Sequence, residues 1–171
     1  MVGGTEADDE ASALATLVLV LAVDGKYLDS KEVKPSTDWL RARALERSKG
    51  PFQEGTCTTV ASSILSSLFL GSKAKEVSPL SAWLEEHPPL AESSLLDIAL
   101  GMHAAHQLGK PIWNRWSEAF VPLLKDRFET SGKEKGAAKA KDATQRSHGT
   151  FWLVLPMQVG SRWKPVLAKG Y

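Results

Sequence analysis

Cysteine and long apolar runs are both scarce in this 171-residue sequence. Cys57 is the single cysteine, so no disulfide can form within the chain. A chain of this length can instead bury a core as one domain. The longest apolar run, Ala11 to Val23, has 13 residues, short of the roughly 20 that span a bilayer. Acidic residues precede this run, where a secretory signal has basic ones. We therefore expect a soluble protein, most consistent with the cytoplasm, with no leader and no membrane span.

The chain also lacks a net excess of charge. It has 21 basic and 20 acidic residues, a formal charge of +1, which predicts no attraction to nucleic acid. The distribution is uneven, because residues 1–29 contain six acids and one Lys, whereas residues 130–171 contain eight basic and two acidic residues. Docking within the chain, a partner surface and a solvated tail are all compatible with this asymmetry.

Strand-like alternation is nearly absent before the C-terminus, and Pro and Gly divide the chain into helix-length segments. We therefore predict an all-α protein with about six helices. The expected helices are residues 10–23, a second that begins after Pro35 with Ser36 or Thr37 as its cap, then 56–70, 78–87, 93–108 and a sixth that begins at Pro111.

Two kinds of helix alternate in this prediction. The first, third and fifth are small and apolar, and the third contains no charge at all. The second, fourth and sixth are amphipathic, which is typical of helices with one exposed face. This alternation predicts antiparallel hairpins of buried inner helices, including a mostly buried first helix, and outer helices.

The chain is expected to have three parts. Residues 1–129 form the helical-hairpin domain. Residues 130–147 are basic and poor in hydrophobic side chains, which favours a flexible loop. Residues 148–171 form a tail packed on the helices, extended over the strand-like segment from Phe151 to Val159.

Several segments resemble a known repeat. The sequence TDWLRARALERSKGPFQEGTCTTVASSILSSLFLGS, residues 37–72, resembles one turn of the α/α-toroid repeat of terpene cyclases and prenyltransferases. Residues 81–128 resemble the next turns, with His106-Gln107-Leu108-Gly109 similar to the segment before an outer helix. The resemblance implies about half of a toroid, since only about half of the helices of a closed ring are visible.

An acidic motif accompanies this resemblance. Glu6-Ala7-Asp8-Asp9-Glu10-Ala11 is similar to the Asp-x-Asp-Asp-Thr-Ala motif of class II terpene cyclases. The resemblance implies that Asp8 is a general acid, with Glu6 and Asp9 beside it, although Glu6 and Glu10 replace the family's Asp and Thr. The alternative is an acidic helix start stabilised by the helix dipole.

Tryptophan is the other candidate site residue. Aromatic rings can line a pocket that stabilises a carbocation, or they can anchor outer helices on inner ones. The candidates for cavity lining are Trp39, Trp83, Trp113 and Trp116; Trp152 and Trp163 complete the set.

Two clusters invite comparison with metal sites. Cys57 and Glu54 lie near the position of the zinc ligands in prenyltransferases, but the family's Asp two residues before the Cys is missing. His103 and His106 lie three apart on one helix and would need a third ligand such as Glu92 or Asp97. A buried thiol and structural histidines are the simpler interpretations, so we expect no metal and no cofactor.

These observations favour a non-catalytic interaction or scaffold protein. Its exposed inner-helix edges would mediate self-association or bind a protein partner. The alternatives are an enzyme of the terpene-cyclase or prenyltransferase type with Asp8 as acid, and a protein that binds a lipid, isoprenoid or other apolar ligand without turnover.

Overall fold

The computed structural model describes residues 6–50, 53, 55–129, 131–133, 135–139, 144–147, 149–151 and 154. These residues form an all-α fold, as predicted. The α-helices are α1 (Glu6–Asp24), α2 (Ser30–Arg47), α3 (Thr56–Phe69), α4 (Ser78–Glu86), α5 (Leu95–Leu108) and α6 (Lys110–Arg127); a 3-10 helix, Ala74–Val77, precedes α4.

The helices form two rows. In the inner row, α3 packs between α1 and α5, while α2, α4 and α6 cover the row from outside. Twelve of the 14 residues of α3 are buried, which makes it the centre of the core. Its Ser, Thr and Ala side chains are small, so neighbouring helices can approach closely. The predicted alternation of inner and outer helices is therefore present.

The predicted start of the second helix is wrong. α2 begins at Ser30, and Asp29 caps it by accepting a hydrogen bond from the Lys31 amide. The Glu32 side chain in turn accepts from the Asp29 amide at 2.8 Å, which completes a capping box. Pro35 lies inside the helix. Its missing N–H leaves only the exposed Lys31 carbonyl without an intrahelical partner, so the helix continues through it.

The prediction that α1 is mostly buried is also wrong. Ala13, Leu17 and Val20 are buried, but Val18 and Leu21 are exposed. Because α1 stands at the end of the inner row, it has an inner neighbour on one side only. Among the described helices, α1 packs against α2 and α3.

The chain returns to the core after α6. Phe128 and Ala138 form an isolated antiparallel bridge, and Ala138 is buried in the core, within a segment that composition alone predicts to be a flexible loop. The Ala138 amide donates to the Thr150 hydroxyl at 2.8 Å. Residues 149–151 are helical, which differs from the prediction at Phe151, the first residue of the expected extended segment; residues 152, 153 and 155–171 lie outside the described part of the chain.

Candidate functional site

The acidic start of α1 forms an ion cluster with α2. Arg43 donates to Asp9 Oδ2 through Nε at 2.8 Å, and Arg47 donates to the same oxygen through Nη2 at 2.8 Å. Asp9 and Arg47 are buried, whereas Arg43 is partly exposed and also pairs with Glu46 at 2.6 Å. This cluster joins the first turn of α1 to the last turns of the antiparallel α2.

The cluster keeps Asp9 ionised. Burial by itself would raise the pKa of Asp9, but hydrogen bonds and positive charge from Arg43 and Arg47 outweigh it and lower the pKa below its ordinary value. A general acid needs a proton near neutral pH, so this geometry suits a structural carboxylate. Asp8 and Glu6 lie in the same helical turn, and their side chains fall outside the described residues.

Trp83 and Trp116 are core residues. Trp116 is 1% exposed, and its indole N–H donates to the Leu84 carbonyl at 2.7 Å. In a continuing helix, the carbonyl of residue 84 would accept a hydrogen bond from the N–H of residue 88. Residue 88 is a proline and has no N–H, so the indole takes the place of that donor. Trp83 is buried and stacks on His87 with the ring centres 4.3 Å apart. The Trp116 indole therefore joins α6 to α4, and the Trp83 indole packs in the core.

The other two candidate tryptophans lie at opposite ends of the helix rows. Trp113 on α6 is half-buried and meets His106 edge to face at 5.1 Å. Trp39 on α2 is 43% exposed. Since α2 packs on α1 and α3 while α6 packs on α4 and α5, the four tryptophans do not converge on one space. Trp152 and Trp163 lie outside the described residues.

Asp97 is a buried polar side chain at the contact between α3 and α5. Its Oδ1 accepts from the Thr58 amide at 2.7 Å and from the Thr58 hydroxyl at 2.8 Å. Its Oδ2 accepts from the Ser94 hydroxyl at 3.0 Å. The carboxylate thus lies in the first turn of both α3 and α5, where helix dipoles favour negative charge. It satisfies helix ends and leaves little of its acceptor capacity for a ligand.

Among the described residues, the candidate metal ligands do not assemble into a group of three. Cys57 is buried, and burial together with the charge of Asp97 raises the pKa of its thiol, which disfavours the thiolate that binds metals. Burial and then the neighbouring His106 lower the pKa of His103 to about 4. In the described part of the chain, no three His, Cys, Asp or Glu side chains are placed to hold a metal ion. Glu54 lies outside it.

A polar surface cleft of about 300 Å³ lies between the start of α2 and the end of α3. Both of its cations are already engaged: Lys34 pairs with Asp38 at 2.7 Å, and Arg41 donates to the Glu76 carbonyl at 2.8 Å. The lining offers hydroxyl groups but no unengaged charge, so it does not specify a ligand.

The most distinctive surface is one side of α1. We define the α1 face as the residues that helical periodicity places together on the open side of this helix. They are Ala11, Leu14, Ala15, Val18, Leu21 and Ala22. Val18 is 64% exposed and Leu21 is 45% exposed, while Leu14 and Ala22 are half-buried. No charged residue occurs between positions 11 and 23, so this face is apolar over about three helical turns.

One aromatic side chain adjoins the α1 face. Tyr27, in the loop that follows α1, is 86% exposed, and its ring lies over Gly25. Trp39 on α2 is also exposed, but it lies one helical turn before Arg43, which binds Asp9 on the opposite side of α1. Of the eight large exposed hydrophobic side chains in the described residues, five belong to the α1–α2 hairpin.

Sequence reasoning anticipated open inner-helix edges but did not select this one. The uncharged run from 11 to 23 is the available signal, and its composition predicts burial. No helix in the part of the chain that the structure describes combines the length and apolarity that crossing a bilayer requires. Comparison of the chain with protein-family models, curated proteins and solved structures finds no match.

Proposed function

We propose that this protein is a non-catalytic helical-hairpin module that binds another protein through the α1 face. The observation that carries the proposal is the exposed, charge-free side of α1 at the end of the inner row. Contiguous exposed apolar surface on a water-soluble domain marks an interaction site. An aromatic residue such as Tyr27 at its border is typical of the side chains that dominate binding energy.

Hydrophobic burial supplies the driving force. Removing apolar surface from water contributes roughly 25 cal/mol per Å². Val18 and Leu21 have most of this surface to lose, since they are 64% and 45% exposed. Binding does not require any charge on the face to lose its water, because no charged residue occurs between positions 11 and 23.

The interior supports the non-catalytic part of the proposal. Asp9 is held ionised by two arginines, Asp97 caps two helices, and Cys57 is a buried thiol with a raised pKa. Each of these groups has a structural task. The likeness to a half toroid belongs to the same proposal and is supported by the alternation of inner and outer rows. No described residue cluster favours a cyclase or an isoprenoid pocket.

Immobilised protein tests the proposal, with both a lysate of the source cells and the purified chain as prey. We expect a retained protein that is lost in Val18→Asp/Leu21→Asp. The matched control is Val121→Asp on α6, because Val121 is 55% exposed and lies far from the α1 face. If no prey depends on the α1 face while both variants keep wild-type helicity, the proposed function is wrong.

A further inference from the structure

The chain that follows α6 folds back onto the helices and is held there by few contacts. We define the strap as the described residues 129, 131–133 and 135–139. We propose that the strap is a conformational device, which opens as one unit while the six helices stay folded, and that the Thr150 hydroxyl is the clasp that keeps it closed. This inference goes beyond the proposed function and does not involve the α1 face.

Backbone hydrogen bonds make the strap a unit. The Glu129 amide donates to the Ala137 carbonyl at 2.8 Å, and the Gly136 amide donates to the Glu129 carbonyl at 2.9 Å. The Lys139 amide donates to the carbonyl of Arg127, the last residue of α6, at 2.9 Å. These bonds belong to one antiparallel pairing, so we expect them to form and break together.

The strap has one buried anchor among its described residues. Ala138 is 3% exposed and belongs to the hydrophobic core, whereas residues 131–133, 135, 136 and 139 are exposed. An alanine side chain has little apolar surface to bury, so hydrophobic burial holds the strap only weakly. A segment with so few buried contacts opens at a lower free energy than the whole protein unfolds.

Thr150 joins the strap to a separate segment of the chain. Its hydroxyl accepts from the Ala138 amide at 2.8 Å and donates to the Arg146 carbonyl at 2.7 Å. If the hydroxyl is removed, the Ala138 amide has no acceptor while the strap stays closed, whereas water supplies one when it opens. Loss of this single group therefore favours the open state.

Gly149 brings the clasp against α5. A Cβ added at position 149 would lie 3.1 Å from the Ala138 Cβ and 3.5 Å from Leu95 Cδ1. The strap, the segment that contains Thr150 and the start of α5 thus meet at one point. Opening removes Ala138 from this contact, so the open state exposes apolar surface at the start of α5.

Amide hydrogen exchange of the full chain, followed by NMR, tests the inference. The reporters are the Glu129, Gly136 and Lys139 amides, since their acceptors are backbone carbonyls and not the Thr150 side chain. We expect Thr150→Val to speed the exchange of all three amides by about five- to tenfold, which corresponds to the loss of one hydrogen bond. Thr150→Ser is the matched control, because it keeps the hydroxyl, and should exchange at close to the wild-type rates.

The same spectra contain the results that would overturn the inference. If the three strap amides exchange equally fast in Thr150→Val and in wild type, the hydroxyl is not the clasp. If the amides of α3 speed up by the same factor as the strap amides, the strap opens only when the whole protein unfolds. Neither result concerns the α1 face, so failure of this inference is distinguishable from failure of the proposed function, which the capture experiment decides.

Discussion

The indole of Trp116 occupies the space that a side chain at position 101 would need. A Cβ on Gly101 would overlap ring atoms Cη2 and Cζ3 of Trp116, which is almost completely buried. Gly101 lies in the middle of α5. Its lack of a side chain therefore lets α6 insert its largest residue against α5.

The first prediction concerns Gly101→Ala. Alanine inside a helix is ordinarily favoured over glycine by roughly 0.5–1 kcal/mol. Here the overlap with Trp116 reverses the sign, and we expect the free energy of unfolding to fall by about 2 kcal/mol. Urea denaturation measures it. Gly50→Ala is the control, because the nearest atom to its added Cβ is the Arg47 carbonyl oxygen at 3.6 Å. Equal stability of the two variants would show that Trp116 can move away from a side chain at position 101 without cost.

The second prediction concerns the hydrogen bond of the same indole. Trp116→Phe keeps most of the aromatic area but leaves the Leu84 carbonyl without the donor that Pro88 cannot replace. Loss of a buried donor costs about 1–3 kcal/mol, and the smaller ring adds to this cost. Trp39→Phe, at a site 43% exposed, should change stability by less than about 0.5 kcal/mol. Urea denaturation measures the free energy of unfolding of both variants, and equal losses would contradict this prediction.

Sequence patterns predict some helix ends in this protein, but they do not predict contacts between helices such as these two. Local signals placed the ends of α3 and α5 well, because Ser94 caps α5 and Gly109 follows it. They failed at α2, where the cap at Asp29 outweighs the tendency of Pro35 to break a helix. The close contact at Gly101 is made by Trp116 of another helix, and no local sequence pattern predicts it.

The candidate site shows the same limit. The acids before α1 were recognised, but the arginines that bind Asp9 lie 34 and 38 residues later. Pairing over that distance depends on how α1 and α2 pack. The exposure of α1 was missed because an apolar helix at the end of a row has the same composition as one in its centre.

The third prediction concerns Asp97→Asn. The amide keeps the shape of the side chain but removes the charge and one acceptor that serve Thr58 and Ser94. Hydrogen bonds to charged groups contribute about 1.5–3 kcal/mol, so we expect a loss of stability in that range. Asp38→Asn is the matched control, since Asp38 pairs with Lys34 on the exposed side of α2 and should cost less than about 1 kcal/mol. Thermal unfolding measures the stability of both variants, and equal losses would contradict a structural role for the Asp97 carboxylate.

The fourth prediction concerns pH. Burial, and then His106, lower the pKa of His103 to about 4, whereas an unfolded histidine titrates near pH 6.5. Between these values the unfolded state binds a proton that the folded state does not, so stability falls as pH is lowered from about 6.5 towards 4. We expect His103→Gln to flatten this dependence. Unfolding free energies measured at several pH values in this window give the slope, and an unchanged slope would contradict the assignment.

The most direct test of the account is capture of a protein partner by the immobilised chain. We expect wild type and Val121→Asp to retain the same partner and Val18→Asp to lose it. The two substituted valines have similar exposures of 55% and 64%, so only the location of the charge differs. A partner that all three proteins retain equally, or no retained partner for any of them, would contradict the claim that the α1 face binds another protein.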